Sequence, residues 1–103
     1  MQMTFYGAVE VVTGSCTRLK TDQGNFLIDC GLFQGEREWE AKNHQSLPFD
    51  ASAISAVFIT HAHLDHCGRL PHLVKAGFRG KIYGTAPTLD LVKITLEDAL
   101  HIM

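Results

Sequence analysis

Residues 60–66 read THAHLDH, and this stretch decides how the 103-residue sequence is interpreted. It places three imidazoles and one carboxylate within six residues, directly after an apolar segment. Imidazole nitrogens and carboxylate oxygens are the ligands that zinc takes in catalytic sites, whereas structural zinc sites prefer cysteine thiolates. We therefore predict that His61, His63, Asp65 and His66 are metal ligands. The alternative from the residues alone is a polar loop whose histidines are exposed and inert.

The geometry expected of this loop suits two neighbouring metal ions. A chain that leaves a strand alternates its side chains, so His61 and His63 can point to one side. Asp65 and His66 then follow at the start of a helix and can face a second point nearby. One short loop can thus supply part of two ligand shells, and paired metals are how many hydrolases generate a nucleophile and stabilise an oxyanion.

The residues that precede the loop are typical of short β-strands. Residues 3–9, 16–21 and 26–28 predict three of them, and Gly24 can supply a positive φ in the turn before the third. Residues 56–60 are apolar on both sides of the pleat, which is typical of a central strand covered on both faces. The sheet is therefore expected to come mainly from the first sixty residues.

Helices are predicted around and after the loop. A short charged helix is expected over residues 36–44. A second helix follows the loop, with Pro71 in its early turn and Gly77 at its end. After a short strand at 81–83, a longer helix is predicted over 86–103. This order of elements predicts a mixed α/β layer structure.

The last predicted helix carries two apolar stripes at helical spacing. The first stripe comprises Leu89, Val92, Leu96, Ala99 and Met103, and the second comprises Leu91, Ile94 and Ile102. A helix that is apolar on two sides needs cover on two sides. We therefore expect residues 1–103 to be the N-terminal portion of one domain in a longer protein.

The composition is that of a globular protein, with 46% hydrophobic residues and a formal charge of −2. This charge does not indicate a basic nucleic-acid surface within the chain. Neither a signal peptide nor a membrane-spanning segment is predicted. The three cysteines, Cys16, Cys30 and Cys67, show no CxxC spacing, so we expect free thiols and a cytoplasmic, reducing location. Cys30 and Cys67 are expected to pack as small buried side chains.

Residues 61–66 match the HxHxDH motif of the metallo-β-lactamase superfamily. Asp29 follows an apolar strand 32 residues before His61 and resembles the superfamily's first motif, an aspartate that orients the metal-binding loop. From the residues alone, Asp29 can also end its strand by bonding turn amides. Five further segments resemble the β-CASP branch, which includes RNA-processing nucleases: residues 12–15, 29–35, 68–71, 85–88 and 96–99.

This resemblance implies the N-terminal part of an αββα sandwich, incomplete in this chain. It implies that His61 and His63 bind one Zn²⁺ and that Asp65 and His66 bind a second. Asp65 is also implied as a catalytic residue that holds or accepts the proton of the attacking nucleophile. The family completes its site with a later histidine, a bridging aspartate and a further histidine, none of which has a counterpart here.

The implied function is cleavage of RNA phosphodiester bonds by the complete enzyme. The implied partners are RNA and, if the enzyme is a homodimer, a second copy of the protein. Endonucleolytic and exonucleolytic cleavage both stay open. One alternative is a hydrolase of another substrate, such as a thioester or lactone. The other is a truncated or vestigial fragment without activity.

The remaining polar candidates are expected to have ordinary roles. His44 lies in a charged segment, and His72 and His101 lie on predicted helices without an acidic or histidine partner at matching spacing. Arg69 and Lys75 are expected to be exposed charges on a helix surface. We expect Gly31, at the start of a glycine-bracketed loop, to serve backbone shape rather than phosphate binding.

Overall fold

The computed structural model describes residues 1–7, 13–34 and 41–102, and these residues form one five-stranded sheet with helices. The elements in chain order are β1 (Gln2–Phe5), β2 (Thr17–Thr21), β3 (Gly24–Ile28), β4 (Ile54–Phe58), α1 (Leu64–Cys67), α2 (Leu70–Lys75), β5 (Lys81–Tyr83) and α3 (Ala86–Ile102). Two single 3₁₀ turns, at Ala41–His44 and Ala51–Ala53, precede β4. The predicted mixed α/β class is therefore correct.

The strand order in the sheet follows the chain, from β1 at one edge to β5 at the other. The first three strands are antiparallel neighbours, whereas β4 runs parallel to both β3 and β5. The turn from β2 to β3 is tight, and Gly24 has the positive φ, 143°, that the sequence predicts there. Because β3 and β4 are parallel, the residues that follow them emerge at the same end of the sheet, beyond the C-terminal ends of both strands.

One face of the sheet carries the hydrophobic core. Leu27 of β3 and Val57 of β4 are fully buried, in one cluster with Leu70 and Leu73 of α2 and with Phe78. The α2 helix begins with Pro71 in its first turn, as predicted. Gly77 follows the helix with a φ of 119°, a conformation that non-glycine residues rarely adopt.

This core allows a stability prediction with a matched control. Leu73 is 0% exposed and the adjacent Val74 is 54% exposed, although both lie on α2. Leu73→Ala should lower the free energy of unfolding by about 2–5 kcal/mol because it removes packed methyl groups and leaves a cavity. Val74→Ala should change it by less than about 0.5 kcal/mol. Urea denaturation of both variants measures the difference, and equal losses would show that α2 does not pack as described.

The opposite face of the sheet displays large apolar side chains. Phe58 is 44% exposed and stacks on Tyr83 of β5, with ring centroids 5.3 Å apart. Met3 and Phe5 of β1 are more than half exposed. The prediction that residues 56–60 are covered on both faces is therefore wrong at Phe58, because the packed helices lie against the other face.

Several predicted boundaries shift. The first strand is shorter than 3–9 and ends at Phe5, and residues 8–12 lie outside the described part of the chain. Of the helix predicted over 36–44, the described portion is a single 3₁₀ turn, and residues 36–40 are outside it.

The long helix α3 uses one of its two apolar stripes for packing. Val92 is 7% exposed, whereas Leu91 and Ile94 of the second stripe are each 54% exposed. None of the described helices is long and apolar enough to cross a membrane.

Candidate metal centre

The histidine-rich loop lies beyond the C-terminal ends of β3 and β4. His61 and His63 are exposed and lie in the loop between β4 and α1, and His63 keeps an extended backbone immediately before α1. Asp65 and His66 lie within α1, partly buried. The predicted placement is therefore correct: two ligand candidates lie in the loop and two at the start of a helix.

Asp29 follows β3 directly at this end of the sheet, and its carboxylate is buried, since the residue is only 2% exposed. Its backbone has a positive φ of 64°, which aspartate tolerates better than most residues. Its Oδ1 accepts a hydrogen bond from the Thr60 amide at 2.7 Å, and its Oδ2 accepts one from Thr60 Oγ1 at 2.6 Å. The same Oδ2 lies 2.8 Å from Nδ1 of His66. Asp29 therefore does more than end its strand, because it joins β3 to the loop and to α1.

These contacts assign the tautomers of two histidines. A carboxylate accepts hydrogen bonds and does not donate them, so Nδ1 of His66 carries the proton directed at Asp29. The Thr60 hydroxyl has one proton, which it donates to Asp29, so it must accept from Nδ1 of His61, 2.9 Å away. In the neutral imidazole, Nε2 of both rings is then the unprotonated nitrogen, which is the atom that binds a metal ion.

The distances show which candidates are neighbours. The ring centroids of His61 and His66 are 4.5 Å apart, and those of His61 and His63 are 6.2 Å apart. Nε2 of His66 lies 3.5 Å from Asp65 Oδ2. Within the described residues, however, no group of three or more histidine, cysteine or acidic side chains converges closely enough to hold a metal ion. The donor chemistry nevertheless fits a divalent ion, because unprotonated imidazoles and a carboxylate lie together beside a buried acid that orients them.

Backbone hydrogen bonds hold the carbonyls of α1 in place. The amides of Ser15, Cys30 and Leu32 donate to the carbonyls of Asp65, His66 and Leu64 at 3.0, 2.9 and 2.7 Å. This close approach explains Gly31, since a Cβ at that position would lie 1.7 Å from the Asp65 carbonyl oxygen. The prediction that Gly31 serves backbone shape fits this contact.

Cys67 follows the motif directly and is fully buried. Its thiol donates to the Ala62 carbonyl at 3.5 Å. Burial, and then the nearby carboxylates of Asp29 and Asp65, raise the pKa of Cys67 to about 11. The thiol is therefore protonated at neutral pH and packs as the sequence predicts. All three cysteines, which belong to the described part of the chain, are free and buried.

Arg69 corrects the sequence prediction. The sequence predicts an exposed charge on the helix surface, but Arg69 is only 6% exposed, whereas Lys75 is exposed as predicted. Arg69 immediately precedes α2, its Nε donates to the Gly31 carbonyl oxygen, and its amide donates to the Cys30 carbonyl oxygen at 2.9 Å. The side chain therefore runs back under the loop rather than outward from the helix.

The other histidines lie apart from this network. His72 is half-buried on α2, and its side chain forms no hydrogen bond or ion pair with the other described residues. His101 lies within α3 and His44 within a 3₁₀ turn, and their side chains are outside the described part of the structure. Thr60 is the residue whose role the sequence analysis missed. Its signal was a hydroxyl side chain directly before the first histidine.

Comparisons with known proteins agree with this geometry. The family model for the metallo-beta-lactamase superfamily matches residues 9–89. Ribonuclease TTHA0252 of Thermus thermophilus is 48% identical over 103 residues, which cover 100% of this chain and 23% of that protein. Transcription termination factor FttA of Methanocaldococcus jannaschii is 35% identical over 102 residues, which cover 99% of this chain and 16% of that protein.

A solved structure is also similar. Human tRNase Z, short form, matches with a TM-score of 0.59 and 28% identity, over 97% of this chain and 41% of that one. The five-stranded sheet and its helices thus resemble the N-terminal part of a metallo-β-lactamase fold. Because the family model covers most of the sequence, including Asp29 and the whole HxHxDH loop, this chain belongs to the metallo-β-lactamase superfamily.

Proposed function

We propose that the protein carrying this chain is a metal-dependent hydrolase of the β-CASP type that cleaves RNA phosphodiester bonds. The observation that carries the proposal is the Asp29–Thr60 network, which engages Nδ1 of His61 and His66 and leaves Nε2 of each neutral ring available, that of His66 3.5 Å from Asp65 Oδ2. RNA as the substrate is supported by the similarity to proteins named as ribonucleases.

The ligand assignment follows the family motif. His61 and His63 would hold one Zn²⁺, and Asp65 and His66 would hold a second, with further ligands needed from outside the described residues. When bound, zinc supplies a Lewis acid that activates water and neutralises charge developing on a phosphate. Asp29 keeps the ring of His66 in one orientation, and Thr60 does the same for His61.

Asp65 is the proposed catalytic residue of this chain. Its side chain is 24% exposed, so water and substrate can reach it, and it is held on α1 close to His66. A carboxylate in this position can accept a proton from the attacking water. The free cysteines support a cytoplasmic site of action, where thiols stay reduced.

A metal-removal experiment tests the proposal. The protein at its native length is treated with a chelator, and cleavage of end-labelled RNA is followed before and after Zn²⁺ is restored. We expect activity to fall at least about 100-fold on chelation and to return with Zn²⁺. The labelled fragments distinguish internal cutting from cutting at an end. RNA cleavage that is unaffected by chelation would contradict the proposal, as would hydrolysis of thioesters or lactones but not of RNA.

A further inference from the structure

A second polar cavity lies beside the loop that carries Phe33, outside the histidine cluster. It has a volume of about 320 Å³, at the lower end of the range for small-ligand sites. Phe33 and Arg69 line it and are 4% and 6% exposed. Lys42, Gln45 and Ser46 also line it and are exposed. Among its described lining residues there are two cations and no carboxylate.

The guanidinium of Arg69 carries an unmet hydrogen-bonding requirement beside this cavity. Its Nε donates to the Gly31 carbonyl oxygen, but Nη2 is buried and has no hydrogen-bond partner among the described residues. Leaving a buried charged donor unpaired costs more than leaving a neutral donor unpaired. A negatively charged acceptor is the group that meets this requirement, and guanidinium geometry matches the oxygens of a phosphate or carboxylate.

Aromatic rings lie beside these cations. Arg69 Cζ lies 4.7 Å from the centroid of the Phe33 ring, and Lys42 Nζ lies 5.7 Å from the same centroid. Tyr6, which also lines the cavity, has Arg18 Cζ 5.8 Å from its ring centroid. Cations interleaved with aromatic rings are typical of surfaces that bind single-stranded nucleic acid.

We propose that this basic–aromatic pocket, formed by Phe33, Lys42, Gln45, Ser46 and Arg69, binds a phosphate oxyanion supplied by the backbone of the RNA. The Arg69 guanidinium and the Lys42 ammonium donate to the phosphate oxygens, and the Gln45 and Ser46 side chains offer further donors. The pocket holds the strand and takes no part in bond cleavage. Arg69 lies three residues after His66. Its backbone amide donates a hydrogen bond to the carbonyl oxygen of Cys30, the residue after Asp29, so the pocket and the histidine loop share one backbone framework.

The inference rests on the proposed function, and the test measures binding separately from cleavage. The native-length protein is kept in a chelator to prevent cleavage, and its affinity for an RNA oligonucleotide is measured by fluorescence anisotropy at several salt concentrations. Lys42→Ala should weaken binding about 5- to 10-fold and reduce the slope of log affinity against log salt by about 0.7. Arg69→Gln, which retains a donor for the Gly31 carbonyl, should weaken binding at least as much. Lys75→Ala, an exposed charge outside the pocket, should change neither quantity.

Titration with inorganic phosphate distinguishes the source of the oxyanion. RNA would be overturned as the source by two results together: phosphate binds the wild type but not Lys42→Ala, and both proteins bind the oligonucleotide with the same affinity. Oligonucleotide affinity unchanged in both pocket variants, with no phosphate binding, would overturn the pocket itself. If Arg69→Gln does not fold, Lys42→Ala decides alone, because its side chain is exposed.

Cleavage of unmodified RNA with Zn²⁺ restored is measured in parallel. If Lys42→Ala loses oligonucleotide binding and the wild type cleaves no RNA, the proposed function fails but the pocket is supported. RNA cleavage with no effect of either pocket variant on binding leaves the proposed function standing and overturns the pocket.

Discussion

Replacing His63 by alanine should abolish RNA cleavage by the native-length protein, with a fall in kcat of roughly 1,000-fold or more, because a proposed metal ligand is lost. The fold should be retained. His63 is exposed and makes no side-chain capping bond to α1, so its removal costs little packing. Thermal unfolding of the variant should therefore lie within a few degrees of wild type.

His72→Ala is the matched control for this experiment. His72 is also a histidine, lies nine residues later on α2, and is half-buried without a polar partner among the described residues. Its replacement should change kcat less than about twofold. If both variants stay folded and lose activity equally, the distinction between ligand and bystander is wrong.

Replacing Asp29 by asparagine should weaken zinc binding by about 10- to 100-fold, the range typical when a partner of a metal-bound histidine is lost. Asparagine has the same size and tolerates the positive φ of 64°. Its amide nitrogen, however, is a donor where the Asp29 Oδ2 accepted. His66 would then have to present an unprotonated Nδ1, which moves its proton to Nε2, the atom proposed to bind metal.

Zinc affinity is measured by competition with a chromophoric chelator, and the His66 tautomer by nitrogen-15 NMR of the imidazole ring. Asp50→Asn is the control, because Asp50 also accepts hydrogen bonds from its neighbour Ser52 but lies away from the histidine loop. Asp50→Asn should leave zinc affinity unchanged. If Asp29→Asn binds zinc with wild-type affinity and the His66 proton stays on Nδ1, Asp29 does not orient His66 for metal binding.

The site could be predicted from the sequence to the extent that its information is local. The strand before residue 60 follows from an apolar run, and a helix after the loop follows from the positions of Pro71 and Gly77. Together they place His61 and Asp65. The meeting of Asp29 with His66 requires one further fact, that β3 and β4 are parallel neighbours. That fact was available only through the resemblance of the Asp29 segment to a family motif.

Arg69 and Phe58 show where sequence reasoning failed. The direction of the Arg69 side chain depends on a carbonyl 38 positions earlier in the chain, which no local pattern encodes. Phe58 belongs to an apolar run that predicts cover on both faces, yet it is 44% exposed, because burial depends on which elements pack on each face. The role of Thr60 was missed for the same reason, since its hydroxyl acts through a buried carboxylate from another strand.

Anomalous X-ray diffraction can show whether the HxHxDH loop holds the catalytic metal. Crystals of the native-length protein grown with Zn²⁺ are measured on both sides of the zinc absorption edge. We expect anomalous peaks about 2.0–2.2 Å from Nε2 of His61 and His66 and from an Asp65 oxygen, the distances of zinc–nitrogen and zinc–carboxylate bonds. An active enzyme whose anomalous peaks lie only elsewhere, with this loop bearing none, would contradict this expectation.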